Sequence, residues 1–253
     1  MTQGENGTVA KIDASGVLYR ELNAKLRELS SNGASEIELH NVCGQRYIGT
    51  DLDRPVEIEI FGTPGNDLGA FMRGPRIIVH GNAQDGCGNT MDEGEIVVHG
   101  HAGDIACLSA RGGKVFVRED VGYRAGIHMK EYQDKKPVLV IGGTAQDFLG
   151  EYMAGGILVL LGLNLNGDKR HKANFIGTGM HGGVIYLRGS VESYQLGQEV
   201  GAGDLEEEDR QVLQRLVCEF ASHFSYETGD ILSQRFTRLS PRYLRPYGRL
   251  YAY

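Results

Sequence analysis

The residue groups spaced for chemistry are few, and each lacks a member. Gly177-x-Gly179-x-x-Gly182 has the spacing of a dinucleotide-binding turn, but that use needs a helix directly after it to aim N–H groups at pyrophosphate. Val184 to Leu187 reads as a strand instead, so these glycines read as turn geometry. Gly113-Lys114 lacks the leading glycine and the following Ser or Thr of a phosphate loop. His80 and His99 fall one repeat apart in an outward column, within reach of a shared metal or proton. Phe61, Arg118, Ile141, Leu161 and Arg188 fill the rest of that column, so no third ligand completes a site, and a solvated or interface pair is expected. Cys43, Cys87, Cys107 and Cys218 form no CxxC pair and read as reduced packing thiols. No Gly-x-Ser-x-Gly elbow is present, and residue 2 is threonine, not a nucleophilic cysteine. The densest polar cluster is Asp168, Lys169, Arg170, His171 and Lys172, within an insertion at 164–173; a second insertion spans Lys130 to Lys136. No catalytic, cofactor-binding or metal-ligating residue is assigned.

The elements that must carry these residues fall into three parts. Residues 1–34 contain an amphipathic helix over 13–33, with Leu18, Leu22, Leu26 and Leu29 on one stripe, Asp13 or Ser15 as N-cap and Gly33 as its stop. It is expected to pack on the middle part. Residues 35–198 lose the helical period, and residues 199–253 form a helical extension near 210–223, a short helix around Ile231 to Phe236, and a tail. That tail mixes Arg235, Arg238, Arg242, Arg245 and Arg249 with Tyr243, Tyr247, Tyr251 and Tyr253. The formal net charge of −7 disfavours nucleic acid and anionic membranes, so a docking arm is expected instead. Nothing resembles a membrane span, and Met1 to Asp13 lack the apolar core of a secretory signal, so a cytoplasmic protein is expected.

Glycine is abundant, 37 of 253 residues, and periodic in the middle part. Taking Asn41, Gly62, Gly81, Gly100, Glu119, Gly142, Gly162 and Gly189 as the ends of β runs gives a unit of about 19 to 20 residues. Four residues before each end stand Ile37, Ile58, Ile77, Ile96, Val115, Val138, Leu158 and Ile185. Two before stand Leu39, Ile60, Val79, Val98, Val117, Val140, Leu160 and Leu187. Two wholly aliphatic columns two residues apart describe one buried strand face repeated in every unit. The expected fold is all-β, a parallel β-helix of about eight coils flanked by α-helices. Glu57, Arg76, Glu95 and Lys114 are expected to alternate in charge up one outer ladder. Gly74, Gly94, Gly113, Gly156 and Gly183 precede successive runs and suit positive φ. A small-residue set recurs mid-repeat at Gly69, Gly86, Gly88, Ala106, Ala125, Gly126, Gly150, Gly177 and Gly179. Between the aliphatic columns the outer face carries Ile78, Val97, Phe116, Leu139, Val159 and Tyr186, an apolar strip that one of the chain's own helices or a partner must cover.

Gly177-Thr178-Gly179-Met180-His181-Gly182-Gly183, the repeated Gly-Gly-(Val/Ile) corners and Gly150-Glu151-Tyr152-Met153-Ala154-Gly155-Gly156 resemble the GXGXG domain at the C-terminal end of the glutamate synthase large subunit. The resemblance covers about residues 35 to 223. It implies a right-handed β-helix; from the repeat itself, Gly81, Gly100, Gly142, Gly162, Gly177, Gly179, Gly182 and Gly183 read as structural turn residues. It implies further that the domain carries no catalytic residues and holds together a glutamine amidotransferase and a synthase. The expected role is a non-catalytic scaffold subunit in nitrogen metabolism, with FMN and iron–sulfur centres on partner subunits and none here, or with self-association. The related β-helix subunit of a formylmethanofuran dehydrogenase-type complex is the alternative within the same fold. An autonomous enzyme or binding protein using the 164–173 insertion is the alternative of a different class.

Overall fold

A computed structural model describes residues 9–165 and 170–242; Asp168, Lys169 and the tail from Tyr243 onward lie outside them. The strands are β1 (Val9–Asp13), β2 (Glu36–Cys43), β3 (Glu57–Thr63), β4 (Arg76–Val79), β5 (Glu95–Val98), β6 (Lys114–Val117), β7 (Val138–Ile141), β8 (Ala154–Leu160), β9 (Gly182–Arg188), β10 (Val200–Gly203) and β11 (Phe236–Pro241). Helix α1 (Tyr19–Ser31) follows β1; α2 (Glu207–Phe224) and α3 (Thr228–Leu232) lie between β10 and β11. One 11-stranded sheet runs in the order β1 through β9, then β11 and β10. It is parallel through β9 and antiparallel beyond. Among the described residues no helix is long and apolar enough to cross a membrane.

The chain is a β-solenoid, and its aliphatic columns stack as expected from β2 to β6: Ile37 on Ile58, Ile77, Ile96 and Val115, with Leu39 on Ile60, Val79, Val98 and Val117. All are buried in one core. It has about six turns, not eight. The expectation counted strands, and the terminal strands belong partly to the ends: β2 receives β1, while β9 carries antiparallel β11 on its far side.

A second correction concerns register. Val115 pairs with Leu139 and Val117 with Ile141, so Leu139 and Ile141 point inward and Val138 and Val140 outward. Val-Leu-Val-Ile has no alternation to mark its faces, and the Gly142-Gly143 doublet hides which glycine ends the run. Gly143 N–H bonds to Glu119 O and Gly162 N–H to Gly143 O, so Gly143 heads the column and the repeat resumes its regular length at β8.

The N-terminal helix is shorter than expected. Residues 9–13 form β1 on β2, and Gly16 at φ +68° turns the chain before α1 begins at Tyr19. Leu18 is the N-cap without a side-chain bond; Asp13 instead accepts from Ser15 and Asn41. Leu22 and Leu26 enter the solenoid core beside Ile37 and Leu39. At the other end the expected helix around Ile231 to Phe236 is α3, which stops at Leu232, and Phe236 begins β11.

Cys87 and Cys107 lie wholly inside the tube, where burial pushes the Cys87 thiol up to about 12 and raises Cys107 as well. Cys43 and Cys218 are exposed. In the native protein a thiol reagent is expected to modify Cys43 and Cys218 promptly and to reach Cys87 and Cys107 only after denaturant is added, as peptide mapping would show.

Candidate interaction surfaces

The outer apolar strip is covered by the chain itself. Val97, Phe116, Val140, Val159 and Tyr186 form a second core with Leu213, Leu216, Val217, Phe220 and Phe224 of α2. Val140 takes the place expected for Leu139, for the register reason above, and Ile78 at the strip's end is half-buried. Polar contacts fix the helix along its length. At its start Asp209 accepts a hydrogen bond from Tyr186 Oη at 2.7 Å and from Glu206 N–H at 2.9 Å, and lies 3.0 Å from Arg238 Nε. Burial alone would raise the Asp209 carboxyl, but these partners hold it below its usual range, while burial and Asp209 push the Tyr186 phenol up. Further along, Lys114 pairs with Glu219 at 2.5 Å. The expected charge ladder therefore forms in two of its three steps: Arg76 bridges Glu57 and Glu95, and Lys114 turns to α2. Glu95, which burial would raise, is brought down to about 2 by His223 and Arg76.

The His80/His99 pair belongs to a ring stack. His40, Phe61, His80 and His99 follow with centroids 4.7, 4.5 and 5.4 Å apart, and Phe224 of α2 closes the series edge-on at 5.1 Å. Glu38 and Glu59 pair with His40 and His80, each at 2.7 Å. Among the described residues no carboxylate forms an ion pair with His99, and burial together with His80 and Arg118 lowers it from 6.5. The unfolded chain then binds a proton more readily than the native one, so the contribution of His99 is complete above pH 6.5 and lost as pH falls below it. A His99→Asn variant is expected to show a smaller Tm drop than the parent between pH 7.5 and 5.5 in thermal melts. Among the described residues no group of three His, Cys, Asp or Glu could hold a metal ion.

The described part of the 164–173 insertion is built into the wall. His171 is buried, with Nε2 2.9 Å from the Arg188 carbonyl, and Gln195 donates to the carbonyls of His171 and Ala173, each at 2.9 Å. Arg170 pairs with Glu192 on the surface. The other insertion makes a small bridge between Tyr132 and Lys135, and Lys135 pairs with Asp92 and Glu93.

The mid-repeat small residues mark a second ladder. Five-residue corners recur at 47–51, 67–71, 86–90, 105–109, 124–128, 148–152 and 175–179, and the first, third and fifth residue of each has positive φ. Third-place N–H groups bond to the preceding coil, as Gly69 to Ile48 O, whereas first- and fifth-place N–H groups bond to the next, as Asp67 to Asp85 O and Phe71 to Asn89 O. The third place faces the core: a Cβ on Gly69 would stand 2.7 Å from Ile96 Cδ1. Only at Cys107 does a side chain replace glycine there. The expected turn glycines divide accordingly. Gly162, Gly177, Gly179 and Gly183 have positive φ, but Gly81, Gly100, Gly142 and Gly182 are not left-handed and serve close approach; at Gly142 a Cβ would meet Arg118 O at 2.1 Å.

The GXGXG motif model matches residues 23–247. The chain belongs to the GXGXG motif family. It is 49% identical over 248 residues to an uncharacterized protein of Methanocaldococcus jannaschii, covering 95% of each chain. It is 26% identical over 190 residues to the ferredoxin-dependent glutamate synthase of Pyropia yezoensis, covering 70% of this chain but 11% of that enzyme. In the five-residue corners the outward first and fifth places hold Tyr47, Phe71, Phe148, Tyr152 and Phe175, all at positive φ. Such conformations cost bulky side chains roughly 1–2 kcal/mol each. Sequence reasoning found the small residues of this corner but missed these aromatics, because only the left-handed register of the glycines marks them.

Proposed function

We propose that this chain is a non-catalytic scaffold subunit of a glutamate synthase-like, multi-subunit amidotransferase or oxidoreductase. In that complex it holds a separate glutaminase chain and a separate chain carrying FMN and iron–sulfur centres. One observation carries the reading: the same module is about a tenth of the length of a ferredoxin-dependent glutamate synthase, yet makes up almost the whole of the Methanocaldococcus jannaschii relative. A unit used both inside a large enzyme and as most of a chain suits a part that joins catalytic bodies. Three histidines and two thiols weighed for chemistry are engaged in the fold. His80 and His99 stack, His171 is walled in, and the buried thiols of Cys87 and Cys107 do not suit an iron–sulfur cluster.

The test is purification of a tagged chain, expressed at its natural level, from its native host at low salt. Co-elution with a glutaminase and a flavoprotein is the expected result. Molybdopterin-enzyme subunits in their place would move the chain to a formylmethanofuran dehydrogenase-type complex. A chain that elutes alone with turnover or a retained small molecule would overturn the scaffold reading in favour of an autonomous protein.

A further inference from the structure

Helix α2 is held differently at its two ends. At its start, Asp209 is fixed by the Tyr186 hydroxyl, the Glu206 N–H and Arg238. Its last turns rest on rings instead: Phe220 and Phe224 are buried, and Phe224 stands edge-on to His99 with centroids 5.1 Å apart. The helix then stops at Ser225, which takes the left-handed conformation at φ +58°, a place where glycine would be relaxed.

His99 lies under that cover in positively charged company. His80 of the preceding coil stacks on it at 5.4 Å, Arg118 follows in the next coil of the same column, and His223 faces it from α2. Glu59 also acts on it, but that carboxylate is already held by His80 at 2.7 Å. Where Glu38 and Glu59 serve His40 and His80, the next two coils place Ile78 and Val97. A proton on His99 therefore puts a charge between cations on an apolar, partly buried surface, which opposes it. The other charged groups at this end do not act in the same direction. Glu95 pairs with Arg76 at 2.8 Å and lies 3.6 Å from His223, so a proton on His223 strengthens the closed helix. Lys114 holds Glu219. Glu95 and Asp209 are both kept below the usual carboxylate range and stay ionised between pH 7.5 and 5.5.

We infer that the last turns of α2 are an acid-sensitive clasp, closed over His99 while its imidazole is neutral and released when it takes up a proton, so that Val97 and Phe116 are uncovered. Phe224 shields His99 from water, so closure opposes protonation and protonation opposes closure by the same free energy. The polar contacts of Asp209 keep the start of the helix in place, and the end swings at Ser225. The inference stands apart from the subunit reading and is tested on the isolated chain.

The test is amide hydrogen exchange followed by mass spectrometry at pH 7.5 and 5.5, corrected for the chemical exchange rate at each pH. Exchange in peptides covering 216–226 is expected to rise by roughly three- to tenfold at the lower pH, the upper figure being the ceiling for one histidine that titrates near 6.5 when uncovered. Peptides covering β4 and β5 are expected to stay unchanged. His99→Asn is expected to lose the rise and His223→Gln to keep it. In proton NMR titrations, His99 is expected to titrate below 6.5 in the parent and to return toward 6.5 in Phe224→Ala. Equal α2 exchange at both pH values in the parent, or a rise that survives His99→Asn, would overturn the clasp. A rise shared by β4 and β5 would show global unfolding, and loss of the rise in His223→Gln would place the trigger at His223. Either result would overturn the inference, as would a His99 titration that Phe224→Ala leaves unmoved.

Discussion

Phe220→Ala is expected to destabilise the protein by about 3–5 kcal/mol, the range for removing a buried aromatic ring. Phe220 is fully buried between α2 and the outer strip, with ring contacts to Phe224 at 4.8 Å and Tyr226 at 5.7 Å. The loss is expected toward the upper end of that range, because α2 is the cover over Val97, Phe116, Val140 and Val159. Once the helix loosens, those side chains face water, and a fluorescent dye for apolar surface is expected to bind the variant below its melting temperature. Denaturant unfolding followed by circular dichroism gives the magnitude. A change within 1 kcal/mol would show that α2 contributes little to covering the strip.

Gly142→Ala is expected to cost about 3 kcal/mol or more, at the upper end for overpacking. The added methyl would stand 2.1 Å from the Arg118 carbonyl and 2.6 Å from Phe220 Cζ. The carbonyl belongs to the backbone of the coil below and cannot swing aside as a side chain would. The coils would have to part at the β6–β7 step, where Gly142 N–H bonds to Val117 O at 2.8 Å. Because part of the clash is with Phe220, the two substitutions are expected not to add. The double variant should be more stable than the sum of the single losses predicts, by up to about 1 kcal/mol. Strict additivity in a double-mutant cycle would place Phe220 away from Gly142.

The inner strand face was legible from residue type alone, since Ile58, Ile77 and Ile96 recur at nearly constant spacing and any apolar side chain at that place must face the same core. The one slip, at Val138-Leu139-Val140-Ile141, came where both faces of a strand are apolar, because α2 buries the outer one. That pattern carries no information about direction. The interruption before it, at 130–136, removed the spacing that would have supplied the missing register.

By itself, then, the sequence determined that a repeat of β-runs stacks around an aliphatic core, because stacking in register depends only on local periodicity. It likewise determined that small residues recur at the corners. Only the tertiary structure decided which surface α2 covers, that Lys114 turns to Glu219 instead of Glu95, and that Phe224 of α2 closes the stack of His40, Phe61, His80 and His99. The physical reason is the same in each case. These contacts join residues far apart in the chain, and their partners are selected by distance and burial in space, which no short-range pattern encodes.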